Sequence, residues 1–373
     1  MLHQDHLYVL NQSSDLLAKL VQLHHLLSKQ HPQISRLAIA LYDKATDDVK
    51  TFIYSGKESP LNHYQAKLAD CYSLSQLVLQ KQPRVENNLA VFLQSEHQHA
   101  SEIYRAGYRS SYTLPLYWDD QLLGFLFFNA EVEHAFPESI LYELDMLGHL
   151  ICLMLVNELS NVRTLSATIR SALDLTHFRD PETGQHLDRM SRYARIIAVK
   201  TANQFGLSDH FIEHLFMFAP LHDLGKIAIP DEILLKNGPL TPDEFKIMQT
   251  HSAAGLALTD KLLANYGLNG VSHIDVLRNI ILHHHEAWDG SGYPVGLKGE
   301  AIPVEARIVT VADVFDALTS ERPYKSAWSN ERAFTHLREL AGIKLDPLCV
   351  EALLTAEKQI LDIQRCFKEQ KFG

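Results

Sequence analysis

The chain has 373 residues, 46% hydrophobic and 21% charged, with a formal net charge of −11. That balance suits a globular protein of two or three domains. Its acidity argues against binding polymeric nucleic acid, but leaves room for a small anionic ligand met by metal ions or a few basic side chains. Cys71, Cys152, Cys349 and Cys366 are far apart and form no CxxC, which argues against a disulfide framework or thiolate zinc site and suits a reducing compartment. The first residues carry no basic segment followed by an apolar core. The longest apolar stretch, 147–156, is too short to span a bilayer. A cytoplasmic protein with no membrane partner is expected.

Residues 7–29 place Leu10, Leu16, Leu17, Leu20, Leu23, Leu26 and Leu27 at helical spacing, which predicts an amphipathic helix. Strands are expected at 36–43 and 49–55, and a helix over 72–81. A hairpin is expected at 110–130 around the turn Asp119–Asp120. The first part is therefore α+β with an antiparallel sheet. From 138 to 176 there is no proline, one glycine (Gly148), and an apolar seam of Leu144, Leu147, Ile151, Leu155, Leu159, Val162, Ile169 and Leu173. This predicts one long helix that either packs on its own domains or forms a parallel two-stranded coil across a homodimer. From 177 onward the pattern is helical, broken by Pro/Gly loops at 179–184, 229–244 and 289–303. The expected organisation is an α+β domain over 1–150, a connecting helix over 138–176 that overlaps the domain edges, and an all-α domain over 177–373.

Histidine is the unusual component, at 21 residues. His24, His25, His97 and His99 have no acidic partners in a repeating motif and read as surface polar residues. The later histidines differ. His222 and Asp223 follow the apolar run LFMFAPL, where a buried adjacent pair is costly unless its charge is compensated. Lys226 lies one turn from Asp223, so an ion pair between them is the simplest account of that dipeptide. Four further segments raise the same problem. Glu182 and His186 are spaced for one helical face, His251 opens a helical stretch, HHHE occupies 283–286, and Asp313 and Asp316 sit in the apolar run VTVADVFDAL. One shared metal cluster explains all five, because imidazole and carboxylate both ligate metals and a carboxylate bridges two.

The string HDLGKIAIPDEILLK, followed by HHEAWDGSGYPVGLKGE, resembles the HD-GYP family of the HD phosphohydrolase superfamily. RDPETGQH, His251, VADVFDALTS and RPYK follow the family's order over about 176–345. The resemblance implies metal ligands at Glu182, His186, His222, Asp223, His251, His284, His285 and Asp313, with Asp223 bridging two or three divalent ions, iron or manganese. Glu182 marks the three-metal type. His283 is outside the family pattern and is left structural. Asn237 and Ala287 depart from it without removing a ligand.

The implied activity is a phosphodiesterase cutting cyclic di-GMP to pGpG and on to GMP, through a hydroxide bridging the metals. Asp223 and Lys226 would be catalytic. Lys226, Tyr293, Asp316, Arg322 and Lys325 would contact substrate. A preference for 3′3′-cyclic GMP-AMP, a catalytically silent binding module and an HD hydrolase acting on nucleoside polyphosphates are the alternatives. Residues 30–155 resemble a GAF domain, chiefly through GYRSSYTLPLYWDDQLLGFLFFNA (107–130). That implies a sensory or dimerising role with an unnamed ligand. His149 and Cys152 read as core or helix-surface residues rather than a haem or redox site.

Overall fold

The computed structural model describes all residues except 1–4, 12–14, 58–59, 94–97, 178–183, 269–270, 322–325 and 369–373. The chain forms two compact units, Met1–Ser160 and Asn161–Gly373.

In the first unit, helix α1 (Leu16–Gln30) is capped by Asp15, whose side chain accepts from the Ala18 amide at 2.7 Å. It buries Leu16, Leu20, Leu23 and Leu27. The sequence period over 7–29 extends beyond this helix, because Tyr8–Asn11 is a separate 3₁₀ turn. Strands β1 (Ile34–Asp43), β2 (Asp48–Gly56) and β3 (Gln65–Lys67) precede α2 (Tyr72–Gln80), β4 (Arg84–Glu86) and α3 (Gln98–Arg105). β5 (Ser110–Trp118) and β6 (Gln121–Ala130) complete a six-stranded sheet of order β3-β2-β1-β6-β5-β4. Every pair of neighbours is antiparallel. The β5–β6 turn is the expected Asp119–Asp120, with φ of 47° and 60°, the left-handed pair that a two-residue hairpin requires.

His24 corrects the expectation of a surface residue. It is buried, with Nδ1 2.8 Å from Ser55 Oγ and Nε2 3.1 Å from the Ile34 carbonyl, so it ties α1 to the sheet. His25 is exposed, while the side chains of His97 and His99 lie outside those described.

Helix α4 (Glu138–His177) begins in the first unit and ends in the second. Leu144, Ile151, Cys152, Leu155, Leu159, Val162 and Leu165 form its buried stripe. Ile169 and Leu173 of the expected seam lie outside the described side chains. By length and composition, Glu138–Thr168 is apolar enough to cross a membrane, at a mean hydropathy of 1.6. This corrects the estimate drawn from 147–156 alone. The same stretch is anchored to its own domain by charge: Asp145 accepts from the Tyr112 hydroxyl, and Glu143 lies 2.9 Å from His31 Nε2.

Among the described residues, the regular elements of the second unit after α4 are all helical. They are α5 (Gly184–Phe205), α6 (Asp209–Phe218), α7 (Asp231–Leu234), α8 (Pro242–Gln249), α9 (His251–Tyr266) and α10 (Ile274–His283). The last four are α11 (Val304–Thr319), α12 (Asn330–Leu340), α13 (Pro347–Leu354) and α14 (Glu357–Cys366), with short 3₁₀ turns between. Met190, Tyr193, Ile197, Leu215, Phe218, Leu277, Ile280 and Phe315 lie in one apolar cluster. Each such side chain contributes about 1.5–3 kcal/mol on burial. This core holds α5, α6, α10 and α11 in register, and their polar positions meet at one place.

Candidate metal centre

Four helices and one irregular turn deliver the polar side chains. α6 runs into a 3₁₀ turn (Ala219–Leu221), which presents His222 and Asp223. A second 3₁₀ turn (Leu224–Ala228) carries Lys226. α8 carries a capping box, with Thr241 and Glu244 each bonded to the other's backbone, and α9 follows it at His251. α10 leads to His284 and His285, α5 supplies His186, and α11 supplies Asp313 and Asp316. The HD turn approaches α9 closely. A Cβ on Gly225 would lie 1.8 Å from the His251 carbonyl oxygen and 2.6 Å from the Gly255 nitrogen, so only glycine fits there.

These residues converge in two groups: Asp223, His251, His284 and His285, and His186, His222 and Asp313. Within each, one ligand atom per residue lies within 4.8 Å of the others. His222 Nε2 is 3.2 Å from Asp223 Oδ2, which joins the groups. His251 Nε2 and His284 Nε2 stand 3.4 and 3.5 Å from Asp223 Oδ1, and 3.5 Å from each other. His186 Nε2 is 3.7 Å from Asp313 Oδ1.

The tautomers follow from the backbone. Nδ1 lies 3.0 Å from the Ala219 carbonyl in His222, 2.8 Å from the Met248 carbonyl in His251 and 2.9 Å from the Ile280 carbonyl in His284. A carbonyl only accepts, so each Nδ1 carries the proton and each Nε2 presents a lone pair. Three lone pairs therefore face the Asp223 carboxylate, a repulsive arrangement that divalent cations reverse. His186 is oriented likewise, its Nδ1 lying 2.7 Å from Asp316 Oδ2. Such an anchored imidazole is the usual companion of a bound metal. The donor set thus fits the ions implied by the resemblance.

Electrostatics agree. Burial opposes charge on Asp223, but the Lys226 ammonium beside it outweighs that and holds the carboxyl well below the usual range. Burial pushes His251 down to about 4 and His285 to about 2, keeping both rings neutral and able to ligate.

Lys226 Nζ is 2.9 Å from Asp223 Oδ2, so the ion pair and the cluster coexist. Tyr293 packs beside the centre, its ring 4.8 Å from that of His285 at 31°. A Cβ on the neighbouring Gly292 would strike the Ala287 nitrogen at 2.2 Å. Asp316 corrects the expectation of a substrate contact. It is fully buried, and its oxygens are held by His186, by Arg189 at 2.7 and 2.9 Å and by Ser320 at 2.8 Å, which leaves no edge for a base. His283 stays apart from both groups, with Nδ1 3.6 Å from Glu286. Glu182, Arg322 and Lys325 lie outside the described residues.

Three supporting residues went unread in the sequence. Arg189 neutralises Asp316. Thr310 Oγ1 donates to the His284 carbonyl at 2.7 Å. Buried Glu286 accepts from the amides of Val295, Gly296 and Leu297 at 2.9–3.2 Å, which shapes the Gly-Tyr-Pro loop. The signal for Glu286 was its place directly after three histidines. Arg189 stood one helical turn from His186.

Residues 181–348, within the helical second unit, match the family model described as HD domain. The chain is 49% identical over 188 residues to the cyclic di-GMP phosphodiesterase response regulator RpfG of Xanthomonas campestris pv. campestris, covering 50% of this chain and 46% of that protein. It is 34% identical over 225 residues to a 3′3′-cGAMP-specific phosphodiesterase 2 of Vibrio cholerae, covering 60% of this chain and 40% of that one. It spans about half the length of the first curated relatives it matches. A GAF domain from an Acinetobacter phosphoenolpyruvate-protein phosphotransferase aligns over 42% of this chain and 90% of its own, at 15% identity and a TM-score of 0.32.

Proposed function

We propose that the second unit hydrolyses a cyclic dinucleotide phosphodiester, with cyclic di-GMP the favoured substrate and pGpG, then GMP, the products. The observation that carries this is the set of three backbone-anchored imidazoles whose lone pairs converge on the partly buried Asp223 carboxylate. Two or three divalent cations, iron or manganese for this imidazole–carboxylate set, would supply Lewis-acid activation of water and of the phosphodiester. His186, His222 and Asp313 would hold part of that charge, and Asp223, His251, His284 and His285 the rest.

Lys226 compensates the Asp223 carboxylate and stands ready to meet negative charge building on the phosphoryl oxygens. Tyr293, in a loop braced by Glu286, offers a ring against which a purine packs. Arg322 and Lys325 are proposed to bind the second phosphate, and Glu182 to complete a third metal position. In the Glu182→Ala chain, elemental analysis then finds about one ion fewer per chain; an unchanged count removes the third position.

A second reading, preference for 3′3′-cyclic GMP-AMP, is supported by the relative named for that substrate. Chromatographic product analysis of the iron- and manganese-loaded chain with each cyclic dinucleotide separates the two. Linear product from neither, with metals bound, rejects both. The first unit is proposed to be a GAF-like sensory domain, with α4 pairing two copies into a cytoplasmic homodimer. Its pocket over the sheet is lined by Arg36, Tyr64, Cys71, Arg84, Thr113 and Asn129.

A further inference from the structure

A second histidine cluster lies in the second unit, apart from both groups above. His210 and His214 are four residues apart on α6, hence on one helical face. His273 precedes α10 in left-handed backbone, φ 55°. The ring centroids of the three are 4.5, 4.7 and 5.0 Å apart. The catalytic pairs His251–His285 and His222–His284 are spaced alike, at 5.0 and 5.1 Å. One nitrogen of each lies within 4.8 Å of the others, and His210 Nδ1 is already 3.1 Å from His273 Nε2. Tetrahedral ligands at zinc–nitrogen distance sit about 3.3 Å apart.

His214 bears the mark seen on the catalytic ligands. Its Nδ1 is 2.8 Å from the His210 carbonyl, so the proton sits there and Nε2 presents a lone pair. Burial, reinforced by His214 and His273, pushes His210 down to about 2, which keeps that ring neutral. Neutral imidazoles are the form that binds metal.

We infer that His210, His214 and His273 form a separate three-imidazole site for one divalent transition metal, zinc by preference. With neither carboxylate nor thiolate among its ligands, it selects borderline imidazole-seeking ions over manganese or magnesium. Its placement gives it a purpose. α6 leads directly to His222 and Asp223, and α10 to His284 and His285. An ion clamping α6 to the start of α10 would brace the two elements whose ends carry the candidate catalytic ligands, roughly 15 Å away along α10. The site is independent of the phosphodiesterase reading, since none of its ligands belongs to that centre.

The test equilibrates the metal-free full chain with zinc and counts ions by elemental analysis, alongside His273→Asn and His214→Asn. Asparagine accepts the left-handed backbone at 273. Each variant is expected to hold one zinc fewer per chain and to lose part of the zinc-dependent rise in melting temperature. Equal zinc content in all three folded chains overturns the site. A readout without substitution guards against misfolding: zinc is expected to protect His273 of the natural chain from diethyl pyrocarbonate, as mapped by mass spectrometry. Modification of His273 that zinc leaves unchanged overturns the site as well.

Discussion

The second unit holds two clusters of imidazoles built by the same rule, and they differ in one component. In both, a backbone carbonyl fixes a histidine tautomer so that Nε2 points inward. Around Asp223 the rings alternate with carboxylates, whereas the group at His210, His214 and His273 contains none. A carboxylate can bridge two cations and share charge with an attacking water; three imidazoles alone would hold one ion and stop there. Converging imidazoles therefore make a candidate metal site, and the interleaved carboxylate makes it a candidate for hydrolysis.

Asp223→Ala tests that contrast most severely. Turnover should fall by roughly a thousandfold or more, since several kcal/mol of transition-state stabilisation go with the centre. Metal content should fall too, while the zinc count at the triad holds. Normal turnover of a cyclic dinucleotide by this variant would refute the assigned centre. Metal removal comes next. Stripping ions restores the repulsion at Asp223, so the second unit should lose about 2.7 kcal/mol per ion removed, relative to protein held at a hundredfold excess of metal over its Kd. Denaturant melts with and without chelator measure this, and identical midpoints would contradict the lone-pair geometry.

Asp316→Asn is milder. It keeps an acceptor near His186 but drops the charge, and should weaken metal affinity at the catalytic cluster by about 10–100-fold. Competition with a chromophoric chelator reads that value; an unshifted affinity would make Asp316 merely structural. Thr241→Ala sits at the small end. It removes half of the capping box on α8 and should lower stability by about 1 kcal/mol without moving metal content, as urea unfolding paired with elemental analysis can check.

Much of this was legible in the chain. The hairpin around Asp119–Asp120, the 40-residue helix α4 and the succession of helices after it follow from periodicity and from Pro/Gly punctuation. His222–Asp223, His251, the HHHE run at 283–286 and the pair Asp313 and Asp316 could be picked out because charged or titratable residues in apolar runs demand an explanation, and a shared metal is the economical one; the choice of His284, His285 and Asp313 within them rested on the HD-GYP resemblance. Asp316 stood in the same apolar run as Asp313, three residues on, and spacing could not tell a ligand from the carboxylate that orients one. That depends on which side of α11 meets Arg189 and which meets His186. His24 looked like a surface residue for the same kind of reason: its partners, Ser55 and the Ile34 carbonyl, arrive only when the sheet packs on α1.

By itself the sequence determined which residue types could carry metal chemistry and which segments would be helix or strand, because side-chain chemistry and hydrophobic period are local properties. Which nitrogen of each ring faces inward, which carboxylate stands among the lone pairs, and that His273 joins two histidines some sixty residues earlier were decided only by tertiary packing. Those facts depend on where one helix ends against another, and no period within a single helix encodes that.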